Sequence, residues 1–477
     1  MKGKVVNGLK WGLIDNLANQ GITFLVGLVL ARLLSPVEFG ILGIITIFIN
    51  LSITIIDGGL ATALIRKPDS TDSDYNTVFY SNVGISLMLM LLVFGLAPTI
   101  ATFFGQPLLG PTLRVMTLVL LINACSIIQK TLLVKKMDFR TQAFVSLVSS
   151  LGSGAIGIGM ALSGYGVWSL VCQQLSRQTF LTLGLWLTSH WHPRLVFSRE
   201  GFCDLFGFGS KLLLANVINS IWKDIFLAVI GKMYSTRDLG YYTRADQFNQ
   251  IFSTNMGQVL QKISLPSLSE LQNEAERLRA SFRKMMRFTA MGNFAAVFGL
   301  AAMAEPVIVF ILGQQWRPSV HLLQIISLYG AIYPLHQLNL NVLSVKKRSD
   351  RFLRLEIIKK CFFVPVILVG FFFRLEVMLW AAVVYYYFEF FLNGWYSKDL
   401  IGYGTLQQVR DLCPIYLISA GVSVVLWTLT LTGWTEWLVI VAQLAAACVL
   451  YPLVYRLSGI VEYVELRDFC LSKIRRR

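Results

Sequence analysis

Charged side chains are scarce in this sequence, and so are the residues that usually build metal and redox sites. Asp, Glu, Lys and Arg make up 14% of its 477 residues, whereas soluble domains carry about 25%. The seven cysteines include no Cys-x-x-Cys pair, and the four histidines have no acidic partner. No Gly-x-x-x-x-Gly-Lys-Ser/Thr stretch that would bind ATP occurs either. We therefore expect no metal site and no cofactor.

The chain is instead rich in apolar sequence. Hydrophobic residues make up 55% of it, and they recur in stretches near the roughly 20 residues that an α-helix needs to cross a bilayer. This pattern predicts an all-α polytopic membrane protein with about fourteen transmembrane helices. The predicted spans are 11–33, 40–65, 78–104, 111–134, 141–162, 165–188, 206–230, 241–265, 284–312, 318–344, 355–373, 376–396, 411–431 and 435–457.

The net charge of +16 is unevenly distributed between the loops. Loops expected on one side of the membrane hold most of the basic residues, including Lys135, Lys136, Lys346 and Lys347, and the tail on that side ends in three arginines. Because short cytoplasmic loops carry an excess of Lys and Arg, we expect both termini in the cytoplasm. The basic charge then indicates topology and contact with membrane lipid, and no nucleic-acid partner is expected.

Two polar interruptions of the apolar pattern lie 200 residues apart. VLARLLSPVEFGIL at 29–42 and VIGKMYSTRDLGYY at 229–242 each join two predicted helices. The matched pairs are Arg32 and Lys232, Ser35 and Ser235, Glu38 and Asp238, and Gly40 and Gly240. Chance does not readily match such rare polar positions, so we expect a duplicated unit of six helices. Because six is even, both copies have the same orientation and form parallel repeats related by a pseudo-twofold axis along the membrane normal.

The duplication predicts four parts of the chain. They are an N-lobe at 1–188 with helices 1–6, a cytoplasmic linker at 189–205, a C-lobe at 206–400 with helices 7–12, and helices 13–14 with a basic cytoplasmic tail at 401–477. The aromatic and basic composition of the linker predicts a helix that lies in the membrane interface. The stretch at 267–287 predicts a charged amphipathic cytoplasmic helix.

The hairpin LARLLSPVEFGILG at 30–43, the corner DGGLATALIRK at 57–67 and the charged loop after the eighth helix carry a family resemblance. The chain resembles Wzx-type polysaccharide exporters, with colanic-acid and teichuronic-acid exporters the most similar. They belong to the flippase superfamily that also contains multidrug antiporters and peptidoglycan-precursor flippases. The resemblance implies a V-shaped, two-lobe fold around a central cavity in the bacterial inner (plasma) membrane.

It also implies an activity. Such a protein moves undecaprenyl-pyrophosphate-linked oligosaccharide repeat units from the cytoplasmic to the periplasmic leaflet by alternating access, in lipopolysaccharide or exopolysaccharide production. A polysaccharide polymerase is then a possible contact. Without an ATP site, the remaining energy source is a gradient of H⁺ or Na⁺, and the intramembrane carboxylates of Asp15, Asp57 and Asp224 are the candidate coupling residues.

Polar residues on the predicted helices suggest where the cargo binds. A charge at the bilayer centre costs about 2.5–3.5 kcal/mol on insertion scales, so such side chains should face protein or water. Guanidinium and ammonium groups pair with pyrophosphate, and amides exchange hydrogen bonds with sugars. The candidate residues are Lys223 and Arg244, then Arg177 and Lys262, with Asn16, Asn19, Asn216, Asn219, Gln247, Gln250, Thr254 and Gln258.

Other interpretations of these features stay open. A single Asn or Gln often forms a hydrogen bond between two helices and binds no cargo. Arg244 and Lys262 lie near helix ends, where long side chains can extend to the membrane interface. A multidrug/ion antiporter of the same fold is the main alternative function. A membrane-embedded polysaccharide enzyme is less favoured, since no outer loop is long and the Asp72-Ser-Asp74 motif lacks a nucleotide domain around it. We therefore expect no enzymatic activity.

Overall fold

The computed structural model describes residues 2–67, 69–189, 191–346 and 348–475, and within these ranges all regular structure is helical. Side chains are not described for residues 2–17, 204, 208, 211, 258, 259, 262, 349, 469–471 and 473–475. The predictions made for the side chains of Asp15, Asn16, Gln258 and Lys262 therefore lie outside the described residues.

The described part of the chain forms eighteen α-helices. They are α1 (Lys2–Leu33), α2 (Pro36–Asp57), α3 (Leu60–Arg66), α4 (Asp72–Phe104), α5 (Leu109–Met116), α6 (Leu118–Lys135), α7 (Phe139–Leu162), α8 (Val167–Thr188), α9 (Arg199–Met233), α10 (Thr236–Glu270), α11 (Ala275–Ala302), α12 (Ala304–Leu312), α13 (Pro318–Val345), α14 (Ser349–Phe372), α15 (Leu375–Ile401), α16 (Thr405–Thr428), α17 (Glu436–Leu457) and α18 (Val461–Arg475).

Each of the fourteen predicted spans coincides with one of these helices or with two consecutive ones. Nine helical stretches among the described residues are long and apolar enough to cross a membrane. The predicted spans on α1, α8, α10, α13 and α14 are not among these nine, and α10 and α14 carry several charged or amide side chains. The all-α, multi-pass membrane fold is thus confirmed, whereas the number of fourteen spans stays a prediction.

Two predicted helix segments are wrong in detail. The linker at 189–205 is helical only from Arg199 onward, because the backbone amides of Arg194 and Ser198 donate to the side chains of Asn76 and Thr77 on α4, at 2.7 and 3.0 Å. These bonds tie the residues before Arg199 to α4. The stretch at 267–287 is interrupted, since α10 ends at Glu270 and α11 begins at Ala275.

By packing, the chain divides into two compact units, residues 1–240 and 241–477. The first unit contains α1 to α9, and α9 packs against α2, α3 and α4. The seventh predicted span therefore packs with the first six. The packing boundary lies after residue 240, whereas the predicted N-lobe ends at 188.

In the second unit, α11, α13, α15 and α16 pack together around a large apolar core. Phe282, Phe294 and Leu335 are among its fully buried side chains. The C-terminal segment, expected only as a basic tail, is the helix α18. It is joined to α11 by an ion pair of 2.5 Å between Arg287 and Glu462.

The two matched hairpins join helices that end and begin at equivalent positions. One helix ends at Leu33 and the next begins at Pro36, and 200 residues later one ends at Met233 and the next begins at Thr236. The backbone amide of Ser35 donates to the Glu38 carboxylate at 2.5 Å, and the hydroxyl of Ser235 donates to the Asp238 carboxylate at 2.6 Å. A carboxylate in the first turn is also stabilised by the partial positive charge at the start of the helix. The matched polar residues thus start equivalent helices, which supports the predicted duplication.

Candidate functional site

A polar cavity of about 440 Å³ lies between α2 and α9 in the first unit. We call it the α2–α9 cavity. Its lining residues are Asn50, Ile53, Thr54, Asp57, Asn216, Asn219, Ser220, Lys223 and Asp224. Five of the predicted site residues therefore line one cavity, namely Asp57, Asn216, Asn219, Lys223 and Asp224.

A second cavity of about 430 Å³ lies among α1, α2, α5, α6, α7 and α8 of the same unit, and we call it the N-terminal cavity. Its polar lining residues are Asn19, Thr46, Asn50, Lys130, Gln142, Ser146, Ser149, Gln174, Arg177 and Gln178. Asn50 and Ile53 on α2 line both cavities. The two cavities are therefore neighbours along α2.

The charges of the two cavities differ in sign. Among the described residues that line the N-terminal cavity, Lys130 and Arg177 are cationic and none is a carboxylate. The α2–α9 cavity has one cation, Lys223, and two carboxylates, Asp57 and Asp224. Counting formal charges gives plus two for the first cavity and minus one for the second. The N-terminal cavity is thus the better environment for an anion.

Arg177 is held in place by an amide on another helix. Its guanidinium donates to Asn19 Oδ1 at 3.1 Å. The same Asn19 oxygen accepts from the Ser150 hydroxyl, and its Nδ2 donates to the Ser146 hydroxyl, both at 2.5 Å. Asn19 therefore joins α1, α7 and α8. Because the Asn19 amide is already bonded to other side chains, we assign to Asn19 the positioning of Arg177 and not the binding of cargo.

Lys130 is a charged residue of this site that the sequence interpretation missed. It lies on α6, faces the N-terminal cavity and is exposed, and its charge also interacts with Asp57. A lone lysine inside the predicted span 111–134 was the available signal. Its meaning depends on Arg177, which lies nearby only in the folded chain.

The two predicted coupling carboxylates with described side chains have distinct surroundings. Asp57 ends α2 immediately before Gly58 and Gly59, which have positive φ values of 53° and 70°. Asp224 is buried, lies beside Lys223 and is within hydrogen-bonding reach of the Asn50 side chain. Asn50 therefore connects Asp224 to the face of α2 that both cavities share.

On α10, several of the candidate side chains hydrogen-bond to neighbours on the same helix. The Arg244 guanidinium donates to the Gln247 side chain one turn further on, and Gln250 Nε2 donates to the Asp246 carboxylate at 2.6 Å. Pairs three or four residues apart on a helix meet in this way. These bonds leave fewer of the candidate side chains on α10 available to bind cargo.

Asp72 and Asp74 act at a helix end. Asp74 accepts from the Thr71 backbone amide at 2.9 Å, and the Thr71 hydroxyl accepts from the Asp74 amide at 3.3 Å, which together form a capping box at the start of α4. Asp74 also pairs with Lys67 at 3.1 Å. This geometry accounts for Asp74 without a metal or a nucleotide. Among the described residues, no group of three His, Cys, Asp or Glu side chains forms a metal site.

The second unit contains a cavity of a different character. It has a volume of about 420 Å³ and is lined mostly by apolar and aromatic side chains, including Phe298, Trp380, Tyr416 and Trp427. No Lys, Arg, Asp or Glu is among its described lining residues. It offers no charge to a phosphate group.

Comparison with known proteins gives relatives among polysaccharide transport proteins. The chain is 28% identical over 328 residues to the succinoglycan biosynthesis transport protein ExoT of Rhizobium meliloti (strain 1021). The aligned region covers 69% of this chain and 66% of ExoT, which is just under two thirds of the relative. It is 23% identical over 350 residues to the teichuronic acid biosynthesis protein TuaB of Bacillus subtilis (strain 168), covering 73% and 72%. The lipopolysaccharide biosynthesis protein WzxC of Escherichia coli (strain K12) is 22% identical over 376 residues, covering 78% and 76%.

Two solved structures share the fold. The lipid II flippase MurJ in an inward closed conformation has a TM-score of 0.74 and 14% identity, with 94% of this chain and 99% of that chain covered. An inward-facing multidrug resistance transporter of the MATE family has a TM-score of 0.63 and 14% identity, with 80% and 94% covered. At such low identity these likenesses establish the fold alone, and they agree with the fold class predicted from the sequence.

The family itself is established by a match to a family model. The model of the polysaccharide biosynthesis protein family matches residues 29–321, more than half of the chain. This region includes both hairpins, the α2–α9 cavity, the lining of the N-terminal cavity apart from Asn19, and the candidate residues of α10. The resemblance to polysaccharide exporters is confirmed, and the chain belongs to the polysaccharide biosynthesis protein family.

Proposed function

We propose that this protein is a flippase that moves undecaprenyl-pyrophosphate-linked polysaccharide repeat units from the cytoplasmic to the periplasmic leaflet of the bacterial inner membrane. The observation that carries the proposal is the N-terminal cavity, which combines Lys130 and Arg177 with hydroxyl and amide groups inside a bundle of apolar helices. A cargo with a pyrophosphate next to sugars needs this combination.

The two cations suit the pyrophosphate for different reasons. A guanidinium presents a planar fork that can bind phosphate oxygens in pairs, whereas an ammonium acts as a point charge on a flexible stem. Arg177 is oriented by Asn19 at 3.1 Å, so its fork is fixed before cargo arrives. Lys130 is exposed in the cavity and can follow the cargo.

Amide and hydroxyl groups supply the contacts for sugar. Gln142, Gln174 and Gln178 line the same cavity as the two cations. In the α2–α9 cavity, Asn216 and Asn219 are exposed. We assign these groups to the sugars that follow the pyrophosphate.

The sequence interpretation ranked Lys223 and Arg244 first as pyrophosphate ligands, and we now rank them second. Lys223 has two carboxylates in its cavity, which would repel an anion. Arg244 is engaged with Gln247. Both stay in the proposal as residues that contact cargo during the transport cycle.

The names of the relatives support this cargo. ExoT is named as a transport protein of succinoglycan biosynthesis, and TuaB and WzxC are named for the biosynthesis of teichuronic acid and lipopolysaccharide. MurJ is named as a lipid II flippase. These names also favour a transporter over an enzyme. Among transporters, a multidrug/ion antiporter fits less well, because the N-terminal cavity is cationic and would repel organic cations.

We further propose that an ion gradient drives transport. Asp57 and Asp224 are the described carboxylates of the α2–α9 cavity, and Asp15 completes the set expected from the sequence. The asymmetry of Lys and Arg between the loops supports a topology with both termini in the cytoplasm. Contact with a polysaccharide polymerase would bring the product directly to the enzyme that uses it.

The experiment uses cells whose chromosomal copy of the gene is deleted and replaced by variants on a plasmid. Arg177→Ala should reduce polysaccharide export at least tenfold, and lipid-linked repeat units should accumulate on the cytoplasmic face. Arg177→Lys should restore part of the activity, since the charge survives but the fork is lost. The control is Arg374→Ala, an exposed position between α14 and α15. Normal export by Arg177→Ala at wild-type abundance would contradict the assignment of the pyrophosphate to this cavity.

A further inference from the structure

Two acidic side chains share one lysine inside the helices of the second unit. Lys359 on α14 is nearly buried, with 6% of its side chain exposed, and its ammonium lies 3.0 Å from the Glu389 carboxylate on α15. The same ammonium pairs with Glu356, one turn earlier on α14. The side chains of Glu389 and Glu356 are 13% and 27% exposed. We call these three residues the Lys359 cluster.

The cluster is not electrically balanced. One ammonium and two carboxylates carry a net charge of minus one. A buried ion pair is tolerated when its charges are matched and hydrogen-bonded, and an unmatched buried charge is costly. One added proton would make the cluster neutral without moving a helix.

The groups around Glu389 come from several helices. His336 on α13 interacts with the Glu389 carboxylate. The Asn393 side chain hydrogen-bonds to that carboxylate and lies 3.0 Å from His336 Nδ1. The Tyr385 hydroxyl donates to the Lys359 carbonyl at 3.1 Å.

Further titratable groups surround this core. The negative charge of Glu389 interacts electrostatically with the Tyr333 and Tyr386 hydroxyls, and so does the charge of Asp246 on α10. On the side of α15 that faces α16, the Tyr387 and Tyr416 hydroxyls bond to each other at 2.8 Å. Among the described residues, the groups that interact most strongly with the Glu389 carboxylate are His336, Lys359 and Asn393, and none of these belongs to α11 or α16.

We propose that the Lys359 cluster is a proton site, in which Glu389 takes up one proton during the transport cycle and later releases it. This inference rests on the proposed function; it names the ion and adds Glu389 to the carboxylates already proposed for coupling, Asp57 and Asp224. A proton from water forms an O–H bond with a Glu389 oxygen, and the cluster changes from minus one to neutral. Release breaks that bond and returns the proton to water.

A proton fits this cluster better than a sodium ion. The position between the two carboxylates is already occupied by the Lys359 ammonium, which would repel a second cation. Na⁺ also needs several oxygen ligands in place of its water shell, whereas a proton needs one oxygen. The ammonium therefore keeps the carboxylates together while leaving one of them to bind H⁺.

The charge balance gives the coupling its direction. A conformation in which the cluster is sealed from water favours the neutral, protonated form, because burial disfavours net charge. A conformation that opens it to water on the side of low proton concentration favours release. Each cycle would then carry one proton with the gradient.

The test measures protonation directly and needs no cargo. Infrared difference spectra of the purified protein in lipid nanodiscs are recorded between neutral and acidic pH. The wild type should show a band of a protonated carboxyl group. Glu389→Gln should lose this band, and Glu356→Gln should lose it as well, because removing either carboxylate leaves the cluster neutral without a proton. The second variant keeps the test valid where the first fails to fold.

Two further variants sharpen the result. Lys359→Met leaves two carboxylates facing each other, so the band should appear at a pH at least one unit higher than in the wild type. Asp350→Asn is the control, since the pairing of Asp350 with Arg348 already keeps the pKa of that carboxyl below its usual range, and the band should be unchanged. A band that persists in Glu389→Gln, or that depends on Na⁺ instead of pH, would overturn the proposal.

Transport separates this proposal from the proposed function. In the cell assay, Glu389→Gln should reduce export at least tenfold at wild-type abundance, and export should no longer respond to collapse of the proton gradient. A wild type that moves no lipid-linked repeat unit but shows the carboxyl band would contradict the flippase function and leave the proton site intact. A wild type that exports repeat units without the band would contradict the proton site alone.

Discussion

Gly40 on α2 lies directly against the backbone carbonyl of Thr236, the first residue of α10. The contact is reciprocal, because Gly240 lies against the carbonyl of Pro36, the first residue of α2. In both places a methyl group would overlap the carbonyl oxygen. The glycines that match at an offset of 200 residues are therefore needed for the same reason: each lets its own hairpin approach the other.

We expect Gly40→Ala and Gly240→Ala to destabilise the packing of these hairpins. Forcing a methyl group into a filled contact costs about 1–3 kcal/mol, so both variants should have lower melting temperatures in detergent. Gly95→Ala on α4 is the matched control, because a methyl group there meets nothing within 4 Å and alanine favours a helix by about 0.5–1 kcal/mol. Equal melting temperatures for Gly40→Ala and the wild type would show that the close contact does not exist in the membrane protein.

Lys130→Met should weaken transport through loss of one positive charge from the N-terminal cavity. We expect at least a fivefold loss of export, with insertion and abundance unchanged because Lys130 is exposed. Lys136→Met is the control, since Lys136 is an exposed lysine at the end of the same helix. Export and accumulated lipid-linked repeat units are measured in the same cells. A loss of similar size in both variants would mean that the cavity is not the cause.

Lys223 and Arg244 allow a separate test of the residues ranked first from the sequence. If they contact the pyrophosphate during transport, Lys223→Ala and Arg244→Ala should each accumulate lipid-linked repeat units, and Lys223→Arg should retain part of the activity. Arg374→Ala again serves as the control. Wild-type export by both alanine variants would remove these two residues from the site and leave the assignment to Arg177 and Lys130.

The predicted topology is open to a direct test by reporter fusions. Fusions expected to report a periplasmic position are those at Gln106, Ser235 and Thr432. Fusions expected to report a cytoplasmic position are those at Thr71, Asn273 and Ser349. A swap at Ser235 and Asn273 alone would mean that α9 or α10 does not cross the membrane as predicted.

Much of the fold followed from the sequence because its cause is local. Apolar stretches of membrane length predict helices wherever they occur, and every predicted span is helical. The hairpins were also predictable, since Pro36, Ser35 and Glu38 act within four residues of one another. The prediction of a helix throughout the linker was wrong for the opposite reason. Its attachment to α4 depends on Asn76 and Thr77, which are more than a hundred residues away in sequence.

The site was predictable as a set of residue types but not as an arrangement. The sequence indicated Asn19 and Arg177 as candidate residues on predicted helices, but only the fold shows that they bind each other. Lys130 and the Lys359 cluster were missed, because one lysine in an apolar span has no meaning until its partners are known. Glu389 lies 30 residues from Lys359 in the sequence, and no periodic pattern connects them.

The central claim is that this protein moves lipid-linked saccharides across a bilayer, and reconstitution tests it most directly. Purified protein is placed in liposomes that contain undecaprenyl pyrophosphate joined to a short fluorescent oligosaccharide, and a membrane-impermeant quencher is added outside with a proton gradient imposed. With the wild type, fluorophore from both leaflets should be quenched, whereas Arg177→Ala and protein-free liposomes should lose only the outer-leaflet signal. If wild-type protein that is folded and inserted leaves the inner-leaflet signal as high as in protein-free liposomes, the proposed flippase function is contradicted.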